Sequence, residues 1–268
     1  MIPPNPYNDR ISRDAPRLTD AEVVIFVPEY NSPGKRDATG AFHPGAADFC
    51  EFYKLDPKKV IHKIDNTASK TFRAKQLLSR MSNARTLWEE TEDYLYPQVY
   101  VFFCHGFKAG IQLGIYSPTP GYILTRDDRQ HWIEFVTLLG RHPAPVVVLY
   151  ACSTGDDPDD DSDSAPGSGD NGFGDLLRDN LCVRGCTYNR VVTHSTAGHT
   201  FYNPNIRIMD GLGSPLGGHG GVDVAKPGTA VFSKLNRHLK VRKGMPGYGF
   251  VWRFPFMSIA DMHTELSR

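Results

Sequence analysis

The chain lacks a charge bias: its 268 residues carry 30 Lys and Arg against 30 Asp and Glu, a formal net charge of zero. A neutral chain has no bulk electrostatic attraction for nucleic acid or for an anionic membrane surface, so neither is expected as a partner. No apolar run approaches the roughly 18 residues that a membrane span needs. Residues 1–17, rich in Pro, Asn, Arg and Asp, have no apolar core of the signal-peptide kind. The expected location is therefore cytoplasmic. Cysteine is sparse: Cys50, Cys104, Cys152, Cys182 and Cys186 form an odd number without a regular framework. In a cytoplasmic chain that favours free thiols over disulfides and leaves one able to act as a nucleophile. There is no internal repeat. The Gly-rich run 211–221 opens no amphipathic helix, which excludes the dinucleotide and P-loop readings.

What is present is one alternating pattern of strands and helices. Residues 1–20 read as an extended arm and 21–268 as one domain. Short apolar runs predict strands at 21–28 (AEVVIFVP), 59–64 (KVIHKI), 98–104 (QVYVFFC), 145–152 (PVVVLYAC), 189–195 (NRVVTHS) and 248–254. The runs at 98–104 and 145–152 are almost wholly apolar, as central parallel strands are when both faces are covered. Helical spacing predicts helices over 45–55, 69–88, 127–139, 174–181 and 229–239. Residues 111–124 suggest a hairpin beside the main sheet. Strands alternating with helices predict an α/β fold: a mainly parallel central sheet with helices on both faces, a three-layer sandwich.

Two of the predicted strands end in reactive residues. Val99–Phe103 runs into Cys104–His105–Gly106, and Val146–Tyr150 runs into Ala151–Cys152. In open α/β sheets sites form beyond the carboxyl ends of strands, so His105 and Cys152 converge if these strands are neighbours. The chemistry needs both. A thiol near pKa 8.5 is only partly ionised at neutral pH, and an imidazole can take its proton and later return one to a leaving amine. Gly106 leaves its N–H unshielded, and with the Cys152 N–H it supplies candidate donors for an oxyanion. No third residue follows from spacing. Cys104, adjacent to His105, is expected to point to the opposite face of its strand and to pack.

His-Gly after one apolar strand and Ala-Cys after a second resembles the caspase-like cysteine peptidases: caspases, metacaspases, legumains, separases and the CHAT proteases. The separation, 152 − 105 = 47 residues, compares with about 50 in caspases. The run Tyr150–Ala151–Cys152–Ser153–Thr154–Gly155 lacks the caspase Gln and looks closer to the CHAT and separase style. The resemblance covers roughly Ala21 to Ser195 and leaves 196–268 to complete the fold. It implies a caspase-like sheet and a thiol endopeptidase with catalytic His105 and Cys152, assisted by Gly106. It also implies a protein substrate, limited regulatory cutting, and a zymogen opened by an activating protease or partner. By analogy of fold alone, a bacterial stress or antiviral effector suits the size.

The segment 153–172 is acidic and Gly/Ser/Pro-rich, and it predicts an exposed mobile loop. Its acids carry three readings: a solvated linker, recognition of a basic substrate residue by Asp156 and Asp157, or an irregular calcium site. The spacing lacks the Gly and distal Glu of an EF-hand. Metacaspases carry an Asp two residues before the Cys, where this chain has Tyr150. Thr193, His194 and Ser195 end the fifth predicted strand, which in the resembled fold lines the substrate cleft; the resemblance implies that they touch substrate, and a core or hydrogen-bonding role is equally open. Cys182, Cys186, His194 and His199 are only loosely zinc-like in spacing, and no metal or other cofactor is assigned. Three alternatives stand beside the peptidase: a catalytically silent binding module with the same fold, a different α/β hydrolase or transferase class in which Cys152 only packs, and a metal-dependent hydrolase using His194 and His199.

Overall fold

The computed structural model describes residues 16–67, 73–84, 96–115, 123–156, 172–198, 202–215 and 221–268. In chain order the strands are β1 (Val23–Pro28), β2 (Ile61–Ile64), β3 (Val99–Phe103), β4 (His105–Phe107), β5 (Gly110–Gln112), β6 (Leu124–Thr125), β7 (Val146–Tyr150), β8 (Arg190–His194), β9 (Ile206–Asp210) and β10 (Val222–Asp223). The helices are α1 (Phe42–Tyr53), α2 (Pro57–Val60), α3 (Ala74–Asn83), α4 (Arg129–Leu139), α5 (Phe173–Val183), α6 (Ala230–Leu239), α7 (Phe250–Arg253) and α8 (Ile259–Ser267). Seven strands form one sheet in the order β10-β9-β8-β7-β3-β1-β2, and β4, β5 and β6 form a small second sheet. β2, β1, β3, β7 and β8 are mutually parallel, while β9 and β10 are antiparallel additions at one edge.

The sheet divides the apolar core in two. On one face Val23, Ile25 and Val27 of β1, Val99, Val101 and Phe103 of β3, and Val146, Val148 and Tyr150 of β7 pack against α1, α6, α7 and α8. On the other, Val24, Phe26, Phe102, Val147 and Leu149 pack against α3, α4 and α5. This is the expected α/β three-layer sandwich. Local chemistry sets several boundaries. The Asp56, Asp128, Thr229 and Ser258 side chains accept main-chain N–H groups at the starts of α2, α4, α6 and α8. α1 ends where Lys54 turns left-handed, at φ 59°.

Three expectations are corrected at the C-terminal end. Residues 248–254 are not a strand: α7 and a 3-10 turn at Phe254–Phe256 occupy that stretch. Gly247 and Gly249, at φ 84° and 99°, break the extended run. The segment lies on the face of the sheet, where the Tyr53 hydroxyl donates to the Trp252 carbonyl at 2.9 Å and the Tyr150 hydroxyl to the Val251 carbonyl at 3.0 Å. Those bonds satisfy carbonyls that a short helix leaves open. β9, hidden in Gly- and Pro-rich surroundings, adds to the sheet because its buried Arg207 is neutralised by Asp223 of β10 at 2.9 Å. α8 was not expected and closes the same face through Met262 and Leu266. Earlier in the chain, Lys59 and Val60 belong to α2 rather than to a strand beginning at 59, because Pro57 at its first turn favours helix.

Trp252 ties this C-terminal cover to the sheet. It is fully buried, with its ring 5.9 Å from that of Tyr150 and 6.1 Å from that of Phe49. Trp252→Ala is expected to cost about 3–5 kcal/mol. Urea unfolding should show one transition moved to lower midpoint. An unchanged midpoint, or a separate early transition for the C-terminal segment, would contradict this packing.

Candidate active site

β3 and β7 are adjacent and in register, with Phe103 opposite Tyr150. Phe103 and Tyr150 both face the α1/α7 side of the sheet, while Cys104 and Ala151 face the other core. His105 and Cys152 stand two residues beyond the carboxyl ends of these strands, where alternation would return each to the first side, and Phe42 of α1 on that side meets the His105 ring. His105 and Cys152 are both half-buried. Cys104 is fully enclosed, and burial pushes its thiol well above the ordinary range.

Gly106 is the point of closest approach. A Cβ there would lie 2.2 Å from the Cys152 carbonyl oxygen and 2.7 Å from the Cys152 nitrogen. Only glycine lets the two main chains meet at this distance. The β4–β5 hairpin pairs Phe107 with Gly110 across a two-residue turn, and Gly106 with Ile111 next. Antiparallel pairs alternate between hydrogen-bonded and free, so the Gly106 N–H turns out of the hairpin. The β3–β7 ladder ends with Cys104 N–H on the Tyr150 carbonyl at 3.4 Å. Among the described residues no main-chain acceptor takes the Cys152 N–H. Among the described residues, then, neither amide is given a main-chain acceptor, which leaves both as candidate oxyanion donors.

His105 is held from the β1 side. Phe42 meets its ring edge-on at 5.2 Å. Burial is the largest influence on the imidazole and lowers its pKa, while the Asn31 main-chain carbonyl, as acceptor, and the Asp37 carboxylate pull the other way; the net shift is downward. At neutral pH His105 is therefore a base with its proton-accepting nitrogen empty. The loop that orients it is closed by side chains. Asn31 donates to Asp37 at 2.9 Å and accepts the Ala38 N–H at 2.6 Å, and Asp37 also accepts the Thr39 hydroxyl and the His43 N–H. Burial alone would raise the Asp37 carboxyl, but those donors outweigh it and hold it low.

The chain turns sharply after the thiol. Ser153 is left-handed at φ 54°, a conformation that costs a non-glycine residue and collects at functional turns. The turn is pinned to β8 and β9: Ser153 N–H donates to Thr196, Gly155 N–H to His194, and the Arg207 guanidinium to the Gly155 carbonyl at 2.8 Å. The Cys152 thiol donates to the Gly198 carbonyl at 2.9 Å and accepts the Gly198 N–H at 3.4 Å. Among the described residues, both of its hydrogen bonds go to Gly198 and none to His105.

Of the substrate-binding expectations, Asp156 closes the turn after Cys152, its N–H on the Ser153 carbonyl, and its carboxylate pairs with Lys108 at 3.3 Å. Asp157 falls outside the described residues, as do 157–171 of the acidic loop. The loop's ends meet, since a Cβ on Gly172 would lie 2.6 Å from the Asp156 carbonyl oxygen. Thr193 and His194 are enclosed, at 0% and 1% exposure, and present no surface to a substrate; Ser195 is half-buried. Cys182 and Cys186 are buried with other partners, Asn189 and the Gly140 and His142 carbonyls, and His199 is outside the described residues. No cluster of His, Cys, Asp and Glu among the described residues is arranged to hold a metal ion. No helix among them is long and apolar enough to cross a membrane. Sequence reasoning missed Asn31, Asp37, Gly198 and Arg207. The first three act through the main chain or at loop positions, and Arg207 sits in the strand that was not expected.

Gly106→Ala is expected to force the two main chains apart, destabilising the fold by about 1–3 kcal/mol and abolishing any activity that needs His105 beside Cys152; a crystal structure of the variant with the pair undisturbed would contradict it. A second expectation concerns acid. Burial holds His194 at about 4, against an ordinary 6.5. Between those values the unfolded chain binds the proton and the native state does not, so stability is full above about pH 6.5 and falls by roughly 3 kcal/mol as pH drops toward 4. Urea midpoints at pH 7, 5.5 and 4.5 should fall in that order, and less steeply in His194→Gln. No family model and no curated protein matches this chain, so what the site does rests on the geometry of its own residues.

Proposed function

We propose that this chain is a caspase-like cysteine endopeptidase that makes limited, regulatory cuts in a cytoplasmic protein substrate. The observation that carries the reading is the meeting of His105–Gly106 with Cys152 at the carboxyl ends of adjacent parallel strands, with Gly106 directly against the Cys152 main chain. In the reaction the Cys152 thiol passes its proton to His105, and sulfur attacks the scissile carbonyl carbon. The carbonyl oxygen becomes an oxyanion facing the Gly106 and Cys152 N–H groups. The C–N bond then breaks, the amine leaves with the proton from His105, and a thioester remains. Water, deprotonated by His105, adds to the thioester and releases the carboxylate and the thiol. A basic side chain before the cut is favoured, because it competes with Lys108 for the Asp156 carboxylate. Activation comes from a protease or partner acting on the loop after Cys152.

One observation favours a second reading, a silent binding module: the thiol is bonded to Gly198 rather than to His105. The test is to incubate the protein and its Cys152→Ala and His105→Ala variants with a diverse peptide library, with and without calcium, and to map cuts by mass spectrometry. Cuts made only by the native protein support the peptidase. Cuts of equal yield by Cys152→Ala would end it. A lowered imidazole pKa keeps the base available below its usual range, so the acid limb of kcat/KM should fall below pH 6.5. A limb at pH 7 or above would assign the base elsewhere.

A further inference from the structure

The segment that bonds the thiol is held from beneath by one buried side chain. Asn203 is 5% exposed and sits where the β8–β9 connection returns toward the sheet. Its Nδ2 donates to the Thr196 carbonyl at 2.9 Å, and its Oδ1 accepts the Asn205 N–H at 3.0 Å. Its main-chain carbonyl accepts from the buried His194 ring. The same Thr196 carbonyl takes the Ser153 N–H at 3.2 Å, so the segment and the turn after Cys152 share an anchor. Gly198 lies directly over Asn203: a Cβ on it would be 3.1 Å from the Asn203 amide nitrogen. Gly198 itself is exposed to solvent. An exposed main-chain group thus holds the nucleophile's proton, and a buried amide fixes that group in place.

We propose that Asn203 is a positioning residue for the nucleophile: it holds Thr196–Gly198 as a main-chain latch that keeps the Cys152 thiol bonded to Gly198 instead of to His105 until the segment is displaced. The inference rests on the reading of Cys152 as the nucleophile. Its logic is that a thiol whose proton is donated to a carbonyl is a poor nucleophile, since the thiolate is the reactive species and a carbonyl cannot accept the proton outright. While the latch is closed, the proton has an acceptor that leads nowhere. When the segment moves, that acceptor is lost and His105 becomes the nearest base on the same side of the sheet.

The latch is testable without proteolysis. Iodoacetamide alkylates a thiolate, forming a C–S bond and releasing iodide, and the rate at each cysteine can be read by peptide mass spectrometry on the intact folded protein. In the native chain Cys152 is expected to react at least tenfold more slowly than cysteine in a short peptide. Asn203→Ala should raise the Cys152 rate about tenfold while Cys104 and Cys182 stay unlabelled. Gly198→Ala, a change at the surface that crowds the Asn203 amide, should raise it as well and guards against a folding defect in the first variant. Native Cys152 reacting as fast as the peptide, or no acceleration in Gly198→Ala, overturns the latch. Equal gains at all five cysteines in both variants also overturn it, because that marks general loosening. Faster alkylation without peptide cutting in either variant upholds the latch and counts against the peptidase reading, so the two fail separately.

Discussion

The pairing of Phe103 with Tyr150 is the constraint from which the rest of the site follows. These residues close the β3–β7 register, their rings stack at 4.7 Å, and Tyr150 is tied by its hydroxyl to α7. A slip of one residue would reverse every face in β7. It would send Cys152 into the core that holds Cys104 and bring Ala151 up to His105. The register is therefore protected from both sides, by an apolar stack within the sheet and by a helix laid across it. Residues far along the chain, Val251 and Trp252, stabilise the position of a thiol a hundred residues earlier.

Around that register the molecule accepts several local costs. Gly106 gives up a side chain, Ser153 adopts a left-handed turn, and Arg207 is buried with Asp223 to hold the Gly155 carbonyl. His194 is enclosed with its Nδ1 lacking a partner among the described residues. Each is unfavourable by itself, and each lies within the strands and turns that frame Cys152. Strain and buried polarity concentrated at one edge of an otherwise apolar sheet are what a site requires and a simple core avoids.

The sheet was legible because its central strands are buried on both faces and therefore read as unbroken apolar runs. Val99–Phe103 and Val146–Tyr150 need no context to be recognised, and the pair His105 and Cys152 follows from where those runs stop. What was not legible depended on other things. β9 contains Arg207, whose burial makes sense only beside Asp223 in a strand of two residues. α7 looked extended because Phe250, Val251 and Trp252 suit a strand by type; the carbonyl partners supplied by Tyr53 and Tyr150 decide for helix. Asn31 and Gly198 reach His105 and Cys152 through main-chain atoms, and a main-chain contact leaves no mark on residue type. Asn203 is an ordinary loop asparagine in the sequence and becomes distinctive only when its amide is seen beneath Gly198.

The electrostatics of the pair lean the same way as the latch. A thiolate is stabilised by an imidazolium beside it, but burial against Phe42 disfavours the charged ring, and Asp37 and the Asn31 carbonyl only partly offset that. An imidazole that resists protonation is a poor counter-ion for a resting thiolate. On the proposed peptidase reading, proton transfer to His105 becomes favourable when a bound carbonyl gives the negative charge somewhere to go, at the Gly106 and Cys152 amides. On that reading the proton moves with bond formation rather than ahead of it. Under the proposed latch such a site is quiet toward adventitious electrophiles at rest, and opening the Gly198 segment would control access to it without altering His105 or Cys152 themselves.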